Sequence, residues 1–230
     1  MIPLVLIPGM MCDARLFGPQ IDSFSADMPI ILAPINDHDT VAALAADILS
    51  WTPDRFALAG LSMGGIVAME VLRQAPERVE RLALLDTNPL AETDEVKARR
   101  EPQIAKVRAG GLCGVMRDEM TPNYLTGGPR RDAILDLCMA MAETIGGAVF
   151  IRQSRALQTR PDQQGTLHTF GGPSLVLCGR DDALCPVQRH ELMASLLPNA
   201  VLEIVENAGH LPTLEQPETT NAALRRWLEA

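Results

Sequence analysis

Short apolar runs that end near Gly, Asn or Asp alternate with stretches of helical spacing along most of this chain. The runs are Leu4–Ile7, Ile30–Ala33, Phe56–Leu61, Leu82–Asp86, Leu175–Gly179 and Val201–Val205. Continuous apolar runs of this length suit strands covered on both faces, as in a parallel sheet. Helical spacing fills the gaps: Val41–Leu49 with Thr40 as N-cap, Ile66–Ala75 stopped by Pro76, Pro186–Leu197, and Glu215–Leu228. Repeated β-α alternation predicts an α/β fold, with a mostly parallel sheet and helices on both of its faces.

One stretch breaks the rhythm. Between Pro89 and Pro173 there is no strand pattern, only helical segments separated by Gly110-Gly111, Gly127-Gly128 and Gly146-Gly147. The glycine pairs read as helix stops or hinges. The expected organisation is a core built from residues 1–88 and 174–230, with residues 89–173 inserted as a helical cap.

Composition excludes several classes. The formal net charge is -9, which argues against a nucleic-acid partner and against electrostatic attraction to anionic membranes. The pairs Arg99-Arg100 and Arg130-Arg131 read as solvated helix faces. Five cysteines with no CxxC spacing argue against a disulfide framework or a zinc site. The N-terminal run lacks a basic n-region and a cleavage site, and no run approaches the ~18 apolar residues that span a bilayer. The expected location is the cytoplasm, and the expected partner is a small-molecule substrate.

The segment Phe56-Ala57-Leu58-Ala59-Gly60-Leu61-Ser62-Met63-Gly64-Gly65-Ile66 carries the chemistry. An apolar strand runs directly into a helix, and Ser62 sits at the junction. So sharp a turn strains the junction residue and leaves no room for a Cβ at Gly60 or Gly64. It exposes the hydroxyl at the carboxyl end of the sheet, on a helix N-terminus that favours developing negative charge.

A serine hydroxyl needs a general base oriented by a third group. Of the four histidines, His210 follows the last strand run in Asn207-Ala208-Gly209-His210, so it stands at a strand end. His38 is the second candidate. His168 lies in the insertion, and His190 reads as a surface residue of an amphipathic helix. Asp181 and Asp182 follow the run Leu175–Gly179, and Asp86 ends another. Position alone leaves all three open as the acid.

With these residues the chain resembles the serine α/β-hydrolases over nearly its whole length. Pro8-Gly9-Met10, Gly60-Leu61-Ser62-Met63-Gly64-Gly65, Gly179-Arg180-Asp181-Asp182-Ala183-Leu184-Cys185-Pro186 and Asn207-Ala208-Gly209-His210 carry the likeness. It is nearest to the small esterases and carbon–carbon-bond hydrolases with a helical cap. The resemblance implies the α/β-hydrolase fold without the family's first hairpin. It favours Asp182 as the acid, through a G-x-x-D-x-x-x-P pattern on Gly179, Asp182 and Pro186. It places the oxyanion hole at the backbone N–H groups of Met63 and Met10. Two departures stand out: Pro8-Gly9 where the family often has His-Gly, and Asn36-Asp37-His38-Asp39 in place of a glycine-serine loop.

The expected activity is carboxylic-ester hydrolysis through an acyl-enzyme, with no metal or organic cofactor. Carbon–carbon-bond hydrolysis, perhydrolysis, aminopeptidase activity, or binding without catalysis on the same scaffold are the alternatives. The pocket is expected to be apolar, with Met11, Met116 and Met139 touching a short uncharged substrate, because Met adapts to varied apolar groups.

Overall fold

The computed structural model describes residues 2–230. In chain order the elements are β1 (Leu4–Ile7), α1 (Gly18–Phe24), β2 (Ile30–Leu32), α2 (Val41–Trp51), β3 (Phe56–Leu61), α3 (Met63–Gln74) and β4 (Val79–Leu85). Then come α4 (Asp94–Arg108), α5 (Leu112–Val115), α6 (Arg131–Ile145), α7 (Gly147–Gln158) and α8 (Gln164–Thr169). The chain closes with β5 (Ser174–Gly179), α9 (Val187–Leu196), β6 (Ala200–Val205), α10 (Pro212–Glu215) and α11 (Pro217–Glu229).

The six strands form one sheet in the order β2-β1-β3-β4-β5-β6, and every neighbouring pair is parallel. The strand order reverses between β1 and β3, where Ile7 lies beside Gly60. Ligand sites of open parallel sheets form outside the carboxyl ends of strands at such a reversal.

Side-chain alternation splits the core into two layers. Val5, Ile7, Leu58, Leu84 and Val176 face α2, α3 and α9. Leu4, Leu6, Ala57, Ala59, Leu85 and Leu177 face the other way, with Phe24 of α1 and Leu224 and Trp227 of α11. Both faces of each central strand are therefore apolar, which is why those runs read as continuous rather than alternating.

The segment between β4 and β5 contains helices only. Its parts differ in attachment. Phe150, Leu157, Leu167 and Phe170 join the apolar layer that contains α3, whereas α4 buries only Ile104 and Val107. Gly146, at φ 86°, separates α6 from α7, which meet at 97°. Among the described residues no single helix is long and apolar enough to cross a membrane.

Candidate active site

Ser62 is the junction between β3 and α3, with φ 55° and ψ -116°. For a non-glycine residue this conformation costs on the order of 1–3 kcal/mol and persists only where the surroundings enforce it. Here they do. Its N–H donates to the Leu85 carbonyl at 2.9 Å, and its own carbonyl accepts from Gly65 at 3.0 Å and from the Thr87 hydroxyl at 2.7 Å. A Cβ on Gly60 would overlap the Gly64 carbonyl, and one on Gly64 would overlap the Ile7 carbonyl. The two glycines let β1, β3 and α3 meet at one point.

His210 stands on the loop after β6, and the residue is 4% exposed. Its Nε2 lies 2.8 Å from the Ser62 Oγ, and its Nδ1 lies 2.8 Å from Asp182 Oδ2. The other Asp182 oxygen accepts from the Leu184 and Cys185 N–H groups at 2.8 and 3.0 Å. Burial alone would push the Asp182 carboxyl up, but the charge and hydrogen bond of His210 and the two backbone N–H groups outweigh it. The carboxyl is held below its usual range. The structure thus brings Ser62, His210 and Asp182 into one chain of hydrogen bonds.

The other candidates lie elsewhere. Asp181 is exposed, and the neighbouring Arg180 pairs with Glu206 at 2.6 Å. Asp86 is fully buried at φ 43° and accepts from Gly179 N–H at 2.9 Å, without touching the imidazole. Burial, then the charge of Asp182, pushes its carboxyl well above the usual value. His38 is half exposed, 4.0 Å from Asp47, and His168 is exposed.

His190 corrects the sequence reading. It is fully buried rather than a surface residue, because its Nε2 accepts from the Thr87 N–H at 3.1 Å behind the elbow. Burial lowers its pKa to about 4 despite nearby Asp182, so the ring is neutral, as an acceptor must be.

The N–H groups of Met10 and Met63 donate to no other group of the chain among the described residues, and both residues line the cavity beside Ser62. The turn carrying Met10 is held from α7: Gln153 accepts from Met11 N–H at 2.9 Å and donates to the Ile35 carbonyl at 3.0 Å.

The three methionines expected to touch substrate do not line that cavity, and their placement corrects the expectation. Met11 is 1% exposed and Met116 likewise. Met139 packs against the same apolar core. Helical spacing says which residues share a face, not which face meets the site. Met10, Met63 and Met120 line it instead. Arg99 and Arg100, read as a solvated face, also line it, because Arg100 turns inward to the buried Glu92.

Sequence reasoning also missed Glu215. One of its oxygens accepts from Gly209 and Leu211 N–H groups, on either side of His210, at 2.9 and 3.2 Å. The other accepts from the Thr126 N–H at 2.9 Å. The His210 N–H donates to the Tyr124 carbonyl at 2.7 Å. A carboxylate at the end of an amphipathic helix pattern gives no sign of this role. Asp182, Cys185 and His210 place donor atoms within 4.8 Å of one another, but the carboxylate and imidazole are already engaged with each other.

A family model described as "Alpha/beta hydrolase family" matches residues 5–223. The chain is 28% identical to the carboxylesterase YbfK of Bacillus subtilis, over 98% of this chain and 79% of that protein. It is also 28% identical to a pimeloyl-[acyl-carrier protein] methyl ester esterase of Aromatoleum aromaticum, over 94% of this chain and 93% of that one. A solved thermophilic esterase from Thermogutta terrifontis superposes with a TM-score of 0.90 at 26% identity, covering 100% of this chain and 90% of that one. The chain belongs to the alpha/beta hydrolase family and is a serine hydrolase.

Proposed function

We propose that the protein hydrolyses carboxylic esters of small molecules, with Ser62 as nucleophile, His210 as general base and acid, and Asp182 as the carboxylate that orients it. The observation that carries this reading is the hydrogen-bond chain from Ser62 Oγ through His210 to Asp182, with both links at 2.8 Å. The named activities of the carboxylesterase and methyl ester esterase relatives support it.

As Ser62 Oγ attacks the carbonyl carbon, its proton passes to His210 Nε2. Asp182 holds the Nδ1 proton and stabilises the imidazolium. The oxyanion is held by the free N–H groups of Met10 and Met63, each donor worth about 2.7–4 kcal/mol. The tetrahedral species collapses, and the alcohol leaves with the proton from His210. Water then gives a proton to His210 and attacks the acyl carbon, the acid departs, and Ser62 regains its proton. Residues 89–173 act as the cap, a role supported by Leu90, Glu92, Gln103, Met120 and Leu157 in the cavity wall.

A fluorophosphonate probe is expected to label the wild type and not Ser62→Ala. Turnover of an aryl ester by Ser62→Ala is expected to fall by about four to six orders of magnitude. Equal labelling of both proteins would remove Ser62 from the nucleophile's place.

A further inference from the structure

The cavity over Ser62 has a volume of about 490 Å³, room for considerably more than a short acyl group. Its wall is apolar beside Met10, Met63, Ile66 and Leu157, and strongly cationic elsewhere. Arg99, Arg100, Arg160 and Arg189 line it. The chain has 20 Lys and Arg against 29 Asp and Glu. Four of the cations meet this cavity, and of the carboxylates only Glu92 and Glu119 do. Glu119 is already paired with Lys106 at 2.6 Å.

Three of the guanidiniums form one group. Glu92, with its side chain 2% exposed, accepts from Arg100 through both oxygens and lies 3.7 Å from Arg160 Nη1. Arg160 is itself 10% exposed. Burial, then the neighbouring Arg100 and Arg189, pulls its pKa down, and Glu92 does not restore it. The Arg189 side chain, half-buried on α9, donates to no group of the chain among the described residues. Two cations therefore share one carboxylate, and the third stands beside Arg160 with no carboxylate of its own among the described residues. Uncompensated charge in a partly dry cavity is costly unless an anion completes it. A guanidinium fork with no partner matches a carboxylate in shape and charge.

We infer that the substrate is a half-ester of a dicarboxylic acid, whose free carboxylate docks on Arg189 and Arg160 while its ester carbonyl meets Ser62. This deepens the ester-hydrolase reading and rests on it. The charge belongs on the acyl side because the acyl group stays on Ser62 through both half-reactions. An anchor there orients the carbonyl for attack by serine and again for attack by water. The apolar wall takes the methylene chain between the two ends.

The test compares methyl half-esters of dicarboxylic acids of increasing chain length with methyl esters of monocarboxylic acids of the same length. The wild type is expected to prefer one half-ester by at least about tenfold in kcat/KM. Added salt is expected to erode that preference. The free dicarboxylates are expected to inhibit competitively and the monocarboxylates only weakly. Arg189→Met is expected to lower the ratio of half-ester to neutral-ester kcat/KM by about 10- to 100-fold, and Arg189→Lys by less. Fluorophosphonate labelling of Ser62 in each protein reads the ester-hydrolase machinery separately from the charge selection. Labelling with neutral esters equal or preferred overturns the docked carboxylate. So does a ratio unmoved in Arg189→Met. Preference for a carboxylate on the alcohol side overturns the acyl placement. Loss of labelling in the wild type overturns the underlying reading instead.

Discussion

The carboxyl edge of the sheet and the helical wall opposite it are held by different forces. Ser62, Asp182 and His210 stand on turns after β3, β5 and β6, and every residue of β3 and β5 is buried. Their turns are fixed by main-chain contact: Gly60 against Gly64, Gly64 against Ile7, Gly179 against Gly209. The wall from α4 is polar. It buries two apolar residues and is tied down by ion pairs such as Arg155–Glu101, 35% and 53% exposed. Steric constraint between backbones leaves almost no freedom, and surface ion pairs leave a good deal. The proposed reaction chemistry therefore sits where backbones leave the chain no room to adjust, and the α4 wall beside the cavity is held by side chains alone.

The largest expected effect tests the edge. Asp182→Asn is expected to lower kcat by about four orders of magnitude, and Asp86→Asn by less than about tenfold. Asn reproduces the neutral form that burial imposes on Asp86. Steady-state kinetics of both variants decide the matter, and the reverse ranking would move the acid to Asp86.

Next in size is the link between the two regions. Glu215→Gln keeps its shape but weakens the charged acceptor that joins Gly209 and Leu211 to Thr126. A loss of about 10- to 100-fold in kcat is expected, with faster amide exchange at Thr126 and Leu211. Unchanged exchange would mean the two regions are joined by other contacts.

His190 makes a smaller and pH-dependent contribution behind the elbow. Its folded pKa is about 4 against 6.5 for the free side chain. Below the higher value the unfolded chain binds a proton that the folded chain refuses. Stability is thus complete above that value and falls as pH drops toward the folded pKa. The loss at about pH 5 is about 2 kcal/mol. Urea unfolding of His190→Asn at about pH 7.5 and about pH 5 is expected to lack this part of the pH dependence.

The smallest effect belongs to the wall. Glu101→Gln removes an exposed pair with Arg155, and no measurable change in the urea midpoint is expected. A clear loss would show that α4 depends on charge as the edge depends on sterics.

How much of this was legible varies with the range of the interaction. The strand runs were readable because both faces of the sheet are covered. Even so, β4 begins at Val79, ahead of the run at Leu82, since Glu80 and Arg81 interrupt the apolar pattern while the backbone still pairs with β3. Likewise α3 starts at Met63, although Gly64 and Gly65 are poor helix formers. Close packing of backbones requires them there, and local propensity gives way. His190 was misread because amphipathic spacing does not reveal a buried acceptor for Thr87 N–H. Glu215 left no trace at all, since its partners lie at Thr126 and on the turn around His210.

The sequence by itself determined the parallel α/β core, the sharp strand-to-helix turn at Ser62 and the place of His210 at a strand end, because each depends on short-range sterics and on apolar runs that can be read residue by residue. Only the tertiary structure decided which aspartate meets the imidazole without appeal to resemblance, which methionines face the cavity, and what charge its wall carries. Arg100, Arg160 and Arg189 are far apart in the chain, and an arginine read alone is a solvated side chain. Their meaning comes from lining one cavity in which Arg100 and Arg160 share the buried carboxylate of Glu92 and Arg189 has none. Electrostatic surplus is a property of an enclosed space, and the chain order does not contain that space.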